Sequence, residues 1–457
     1  MEAKRKAKAG WKDAASRDGS QEVTEPRSKR TKKPTMDSDD EEDYKHRSQF
    51  PSVDHLEVTH CNLFDSYPVY GPVSLGSHDC SPAVCRPSGE GDAALRMYAR
   101  VVHSPLVLPL LFGWERKRSE SKAARRVTYV TPCGRTLSSL EQVDDFLLHI
   151  ESILPIQCFS FEVGLDISSK IYIPRHTVKS ATTLTLKNAQ FEVAAFNCYV
   201  KDNPAKFTYV NKVIMTESAN ERLTKGSSKK RTEWCHCSSP CSTSSSSSCL
   251  CQHLNDEDEA EEGFQHGLLL KFQKCVSECS SSCKCPPTCR NRVSSSTVPW
   301  RVLLYYFPGK GYGVRAVCDI PKGAFIGMYT GQLLTERDVG RTGRPDTYYF
   351  TLTNLNEGNS QDQMKNGTLD YKDLFTLDAQ YFGNFTRFLN HSCDPNLFPQ
   401  PMLRDYTGPL VYHIGFFTSR LIKAGEEMTW NYNYEVGTAK YKIDCRCGAE
   451  NCRKRLL

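Results

Sequence analysis

The chain of 457 residues contains no run of about 18 apolar residues, so no membrane-spanning helix is expected. It opens "MEAKRKAKAGWK", which lacks the apolar core of a secretory leader, and a soluble intracellular protein is the expectation. In that setting the Asn-x-Ser/Thr triplets at Asn366, Asn384 and Asn390 are chance matches, not glycan acceptors. Apolar residues reach only 39%, enough for packed cores but low enough to expect sizeable unfolded segments. Net charge is also small, +6 from 59 basic and 53 acidic residues. That is poor support for a factor whose whole surface grips nucleic acid.

The charge is unevenly placed. Residues 1–34 carry eleven Lys/Arg against five Asp/Glu, and "DSDDEED" follows at 37–43. Such blocks repel themselves, so 1–50 is expected to be a disordered tail. Its clusters "KRKAK" (4–8) and "SKRTKK" (28–33) suit nuclear import. The segment 51–100 is broken by Pro, Gly and Ser and carries Cys61, His78, Cys80 and Cys85, which would suffice for one tetrahedral zinc site. A compact unit is expected at 103–175. There "RRVTYVTPCGRTL" alternates like a strand running into a turn, and Leu140, Val143, Phe146, Leu147 and Ile150 recur at helical spacing after a Ser cap. Residues 176–232 read as a linker. From Trp300 to Tyr434 short β-rich runs broken by Gly, Pro and Asn predominate.

Cysteine is abundant. Of 21, ten fall between Cys235 and Cys289. In a reducing compartment such clustering points to metal, not disulfides. Cysteines one residue apart close a disulfide ring only with strain, so the Cys-x-Cys pairs suit separate metals or a shared thiolate. A serine tract and the acidic loop "NDEDEAEEG" interrupt the ligands, which long loops between fixed anchors tolerate. Closed all-cysteine sites leave no open position for chemistry, so the cluster is expected to be scaffold.

These cysteines resemble the pre-SET module of histone lysine methyltransferases, in which nine cysteines hold three zinc ions. Position by position the resemblance implies Cys235, Cys237, Cys241, Cys249, Cys251, Cys279, Cys283, Cys285 and Cys289 as ligands, with Cys275 spare. Three further motifs agree: "GKGYGVRA" (309–316), "RFLNHSCDPN" (387–396) and "EEMTWNYNYEVG" (426–437). "CRCGAENC" (445–452) then supplies Cys445, Cys447 and Cys452, which with Cys393 make a fourth zinc site. Together they resemble a pre-SET (233–298), SET (299–435) and post-SET (441–457) unit. The implied fold is mainly β, a SET-domain fold with a threaded C-terminal segment between zinc-rich modules. The implied donor is S-adenosylmethionine and the implied acceptor a lysine amine. Lys310, Gly311, Tyr312, Asp346, Tyr348, Arg387, Asn390 and His391 would contact the donor. Tyr432 would orient the amine, with Tyr348 as a second wall. Trp430 stands where relatives carry the Phe or Tyr that limits methyl count, which implies that trimethylation is allowed.

"FGWERKRSESKAARRVTYVTPCGRTLSSLEQVDDFL" resembles a methyl-CpG-binding domain, a small α+β unit. That domain ahead of pre-SET and SET, with "DA-x3-GN-x2-RFLNHSC" at 378–393, points to the SETDB (bifurcated SET) family. The cysteines of 56–87 are most like the shorter of its two vertebrate paralogues. The family implies lysine 9 of histone H3 as target, silencing proteins as partners, nucleus and chromosome as location, and no membrane. Two departures stand out. The long insertion that splits the family's SET domain is reduced to "NLNEGNSQDQMKNGTLDYKD" (354–373). In the front domain, Arg126 stands at the aspartate position that supports base reading, Ser138 stands at the second arginine position, and the loop between strands is short. The remaining basic residues suit DNA backbone or protein contact without methyl reading. The competing expectations are a catalytically weak chromatin scaffold that keeps the zinc-stabilised SET fold, and a zinc-dependent DNA-binding factor.

Overall fold

The computed structural model describes residues 56–456, except 88, 120–124, 185–191, 227–233, 242–248, 250, 252–262, 296–297, 343–347, 353–374, 405–411 and 435–442. The expected N-terminal tail, Asp346, the short loop of the front domain and the remnant insertion therefore lie outside the described residues.

The front unit is a three-stranded sheet of β2 (Glu115–Arg118), β3 (Val127–Val130) and β4 (Thr136–Leu137), backed by the helix Leu140–His149. The helix starts where Ser139 Oγ accepts from the Gln142 N–H at 3.2 Å. Gln142 Oε1 in turn accepts from the Ser138 N–H at 2.7 Å, which satisfies an amide the helix leaves free. Val143, Phe146, Leu147 and Ile150 are buried as their spacing predicts. Trp114 is the anchor they meet, edge-on to Phe146 at 5.5 Å and to Phe159 at 4.8 Å. Ahead of the sheet, β1 (Glu57–His60) pairs antiparallel with β5 (Ser169–Tyr172).

The C-terminal half is built from small sheets, as expected. The largest has the order β18-β21-β12-β11-β7-β6. Its strands are β6 (Ser180–Leu184), β7 (Val193–Asn197), β11 (Val302–Phe307), β12 (Gly311–Ala316), β18 (Asn390–His391) and β21 (Glu427–Trp430). A second sheet joins β10 (Val276–Ser277), β19 (Leu397–Leu403), β20 (His413–Thr418) and β13 (Phe325–Tyr329). A third joins β15 (Tyr349–Leu352), β16 (Phe375–Asp378), β14 (Gln332–Thr335) and β9 (Ile214–Met215). Leu304, Val314, Leu333, Leu377, Phe416 and Met428 fill the shared core.

The linker expected at 176–232 is a correction. β7 lies parallel to β11, with Leu304 opposite Ala195, and β9 lies parallel to β14. These strands are short, and their partners lie more than 100 residues away, so no local pattern announces them.

Pre-SET and front unit are locked together. Asp144, on the helix Leu140–His149, is buried and lies 2.6 Å from Arg290 Nε and 2.7 Å from His266 Nδ1.

Candidate active site and metal clusters

The sequence "RFLNHSCDPN" becomes a short 3-10 turn, Phe385–Phe388, followed by β18. β18 runs parallel to β21, pairing Asn390 with Thr429 and His391 with Trp430. Two segments remote in sequence thus form one wall. Asn396 clamps them: its Nδ2 donates to Glu427 O at 2.8 Å and its Oδ1 accepts from Thr429 N–H at 2.9 Å.

Beside that wall, β12 enters through Gly311 at φ +87. Lys310 Nζ donates to Glu427 Oε2 at 2.6 Å, and Asn390 Nδ2 donates to Glu427 Oε1 at 2.9 Å and to Tyr312 O at 3.3 Å. One carboxylate therefore fixes both the lysine and the asparagine. Glu427 was not among the expected site residues, although it lies in the quoted "EEMTW". Gly313 sits under this bridge. A methyl there would lie 2.6 Å from Asn390 Nδ2, 2.7 Å from Phe307 and 2.8 Å from Glu427 Oε1, so any side chain forces these three side chains to shift. Tyr312 donates its hydroxyl to Asp202 O at 2.6 Å, which brings the 198–203 stretch onto the same rim.

His391 is buried and accepts, at Nδ1, from the Tyr432 N–H at 3.1 Å. Burial, reinforced by Arg453 and Lys310, lowers its imidazole to about 4, so it is neutral near pH 7. Tyr432 donates its hydroxyl to Leu389 O at 2.9 Å, and Trp430 Nε1 points at the same carbonyl at 3.3 Å. Burial, with Tyr348 and Glu427 nearby, raises the Tyr432 hydroxyl well above the ordinary phenol value. Trp430 stacks on Phe350 at 5.3 Å and lies 4.8 Å from Tyr432, and Tyr434 stands edge-on to Tyr432 at 5.8 Å. Asn433, at φ +55, turns the chain between the two tyrosines, a conformation Asn tolerates better than most residues.

Arg387, expected at the donor, is also tied into the fold. Its Nε donates to Ala379 O at 2.7 Å and its Nη2 to Gln380 O at 3.2 Å, and its guanidinium lies 4.0 Å from the Tyr348 ring centre. It holds Tyr348 by stacking. Its buried Nη1 finds no hydrogen-bond partner among the described residues, and is a donor that suits a bound acceptor.

The cysteines gather as metal sites require. In pre-SET, Cys241 Sγ lies 3.7 Å from Cys235 and 3.6 Å from Cys279, and Cys251 lies 3.5 Å from Cys283. Four sulfurs about 2.3 Å from a zinc ion would be about 3.8 Å apart, so these spacings fit. Three four-sulfur groupings overlap and all include Cys235, which fits shared thiolates. Donors aim at the sulfurs: Arg292 Nη2 at Cys285 (3.2 Å), Asn291 Nδ2 at Cys279 (3.5 Å) and the Cys241 N–H at Cys289 (3.4 Å). Cys237 packs against this core, and Cys249 shares two of the groupings. Cys275 belongs to none of them.

Cys393, Cys445, Cys447 and Cys452 form a separate group, with Cys393 and Cys445 3.8 Å apart. It seats the C-terminal segment over the site, where Arg446 Nη1 donates to Gly309 O at 2.8 Å. His78, Cys80 and Cys85 also converge, but Cys61 does not join them. Its sulfur lies 3.9 Å from the His103 ring nitrogens, and Cys133 takes the fourth position.

Family models match in the same order: a methyl-CpG binding domain over 101–169, a Pre-SET motif over 185–292 and a SET domain over 311–433. The Pre-SET match begins inside the stretch read as a linker. The chain is similar to the histone-lysine N-methyltransferase eggless of Drosophila pseudoobscura pseudoobscura, 29% identical over 478 residues, covering 84% of this chain and 37% of that one. It is similar to the histone-lysine N-methyltransferase met-2 of Caenorhabditis elegans, 26% identical, covering 85% of this chain and 38% of that one. The chain thus spans well under half the length of these relatives. Among solved structures it resembles Arabidopsis thaliana SUVH6 in complex with SAM, with TM-score 0.50 and 29% identity, covering 59% of this chain and 54% of that one.

Proposed function

We propose that the chain is a SETDB-type (bifurcated SET) enzyme, an S-adenosylmethionine-dependent protein-lysine methyltransferase acting on a histone H3 tail. The observation that carries this reading is the meeting, on the β18–β21 wall, of a polar cradle and an aromatic cluster. The cradle is Lys310, Glu427, Asn390 and His391; the cluster is Tyr348, Phe350, Trp430 and Tyr432. A donor that is half nucleoside and half amino acid suits the first, and an extended lysine side chain suits the second.

The donor supplies a methyl group on a positively charged sulfur. The protein's part is placement and desolvation. Free lysine has a pKa of about 10.4 and is mostly protonated at pH 7, so its amine must lose a proton before it can react. A narrow apolar passage beside a cation favours the neutral form. The raised Tyr432 hydroxyl stays protonated, and with Leu389 O it sets polar atoms at the end of that passage. Alignment of amine and methyl is the main gain. Of the expected donor contacts, Lys310, Gly311, Tyr312, Asn390 and His391 remain candidates as expected. Arg387 offers Nη1 alone and otherwise positions Tyr348. Trp430 commits its N–H toward Leu389 O and brings no hydroxyl to restrain a methylated amine, which favours trimethyl product. Lysine 9, silencing partners, DNA contact through the front domain and a chromosomal, nuclear location are parts of the same proposal.

The test is to incubate the purified chain with labelled S-adenosylmethionine and histone octamers, then map sites by mass spectrometry. Trimethyl-lysine on the H3 tail is expected at lysine 9. Donor binding without transfer to any histone would favour the scaffold reading, and absence of donor binding would overturn both the donor and the enzyme.

A further inference from the structure

We propose that the chain holds an additional structural zinc site, formed by His78, Cys80, Cys85 and Cys133, which staples the N-terminal extension to the front domain. The four ligand atoms lie within 4.8 Å of one another. His78 Nε2 is 3.6 Å from Cys80 Sγ and 3.3 Å from Cys85 Sγ. One nitrogen and three sulfurs about 2.0–2.3 Å from a zinc ion would be separated by about 3.5–3.8 Å. The imidazole is already oriented for the task. Its Nδ1 is 3.0 Å from Gly76 O, so that nitrogen carries the proton and Nε2 is left with its lone pair toward the cysteines. Three thiolates and a neutral imidazole around a dication leave one net negative charge, and Arg135 Nη1 lies 3.9 Å from Cys80 Sγ to offset it.

The extension needs such a staple. Leu63, Tyr67 and Val69 pack, partly buried, on the front-domain core, but beyond them Tyr70, Val73, Leu75 and Val84 are all exposed. Apolar burial therefore does little to hold residues 70–79. Tyr67 meets His103 at one end of the extension and Cys80 O meets His149 Nε2 at the other, and between them it runs along the turn between β3 and β4. Val73 N–H donates to Pro132 O at 2.8 Å, and a methyl on Gly134 would meet the Ser74 backbone at 3.3 Å. Cys133 sits in that turn, so a metal on it ties the extension to the sheet at the point of closest approach. Ligands drawn from two parts of the chain make metal binding and docking one event.

The test is zinc content per chain, measured on the 457-residue chain by atomic emission. Cys133→Ser is expected to lose one zinc equivalent, Cys61→Ser none, and His78→Cys should retain the equivalent that His78→Ala loses. Equal zinc in wild type and Cys133→Ser overturns the site, as does loss of one equivalent in Cys61→Ser with none in Cys133→Ser. A wild-type measurement stands beside the variants. Cys80 is partly exposed, and it is expected to resist alkylation until a zinc chelator is added. Immediate alkylation of Cys80 in the zinc-loaded chain overturns the proposal.

Discussion

Gly313 shows how closely the donor-side residues are fitted. A methyl on it would push against Asn390, Glu427 and Phe307 and so displace the Lys310–Glu427–Asn390 bridge. Gly313→Ala should weaken S-adenosylmethionine binding at least tenfold, measured by equilibrium dialysis, while zinc content stays unchanged. In the proposed reaction Tyr432 stands at the other end. Removing its hydroxyl deletes one oriented polar group at the reacting end, and losses of that kind cost about 10²–10³ in rate. Tyr432→Phe should therefore drop methyl transfer about a hundredfold with donor affinity within about twofold, and a fully active variant would refute the assignment. The residues that motif strings carry, such as Asn390, His391 and the clustered cysteines, are readable because their spacing is local. Glu427 and Asn396 were passed over although they lie inside quoted motifs, since nothing in a string says that one carboxylate bridges Lys310 and Asn390. Cys133 was missed for a similar reason: sequence proximity favoured Cys61, whereas the fold turns Cys61 toward His103.

At the level of elements, the helix Leu140–His149 was legible from its period and its Ser139 cap, because a helix is a local structure. The strands β6, β7 and β9 were not, because a two- to five-residue strand is defined by a partner that only the fold supplies. That same helix carries a feature its pattern does not announce. Asp144 lies on the buried side among apolar residues, and its carboxylate meets Arg290 and His266 from pre-SET. Removing one member of a buried pair leaves the other desolvated and unpaired, at a cost of about 3–5 kcal/mol. Asp144→Ala should lower the stability of the front unit and pre-SET by about that amount in chemical denaturation, with one shared transition. An unchanged midpoint would show that the two units are held together by apolar packing alone.

Taken as a whole, the molecule places a methyl-CpG-binding-type domain against the cysteine-rich module of the SET half, and two of its arginines are already engaged. Arg116 donates to Ser160 O (3.3 Å) and Glu162 O (3.1 Å), and Arg118 donates to Leu165 O at 2.5 Å. Ser138, at the position where a reader would present its second arginine, serves the helix start instead, giving both its N–H and its hydroxyl to Gln142 Oε1. Arg126 is exposed, and the resemblance implies that it takes the place of the carboxylate that would support a base-reading arginine. Discrimination of a base edge rests on bidentate donors, each worth about 1–3 kcal/mol, and the resemblance implies that Ser138 replaces one of the two arginines that supply them. What remains is charge that suits phosphates or an acidic protein face. Labelled duplexes that differ only in CpG methylation should therefore bind the chain with equal affinity within about twofold in fluorescence anisotropy. The affinity should fall linearly on a log–log plot against salt, by about 0.9 for each phosphate contacted. A preference of tenfold or more for the methylated duplex, about 1.4 kcal/mol, would mean that the exposed arginines find a guanine edge that this arrangement does not offer them.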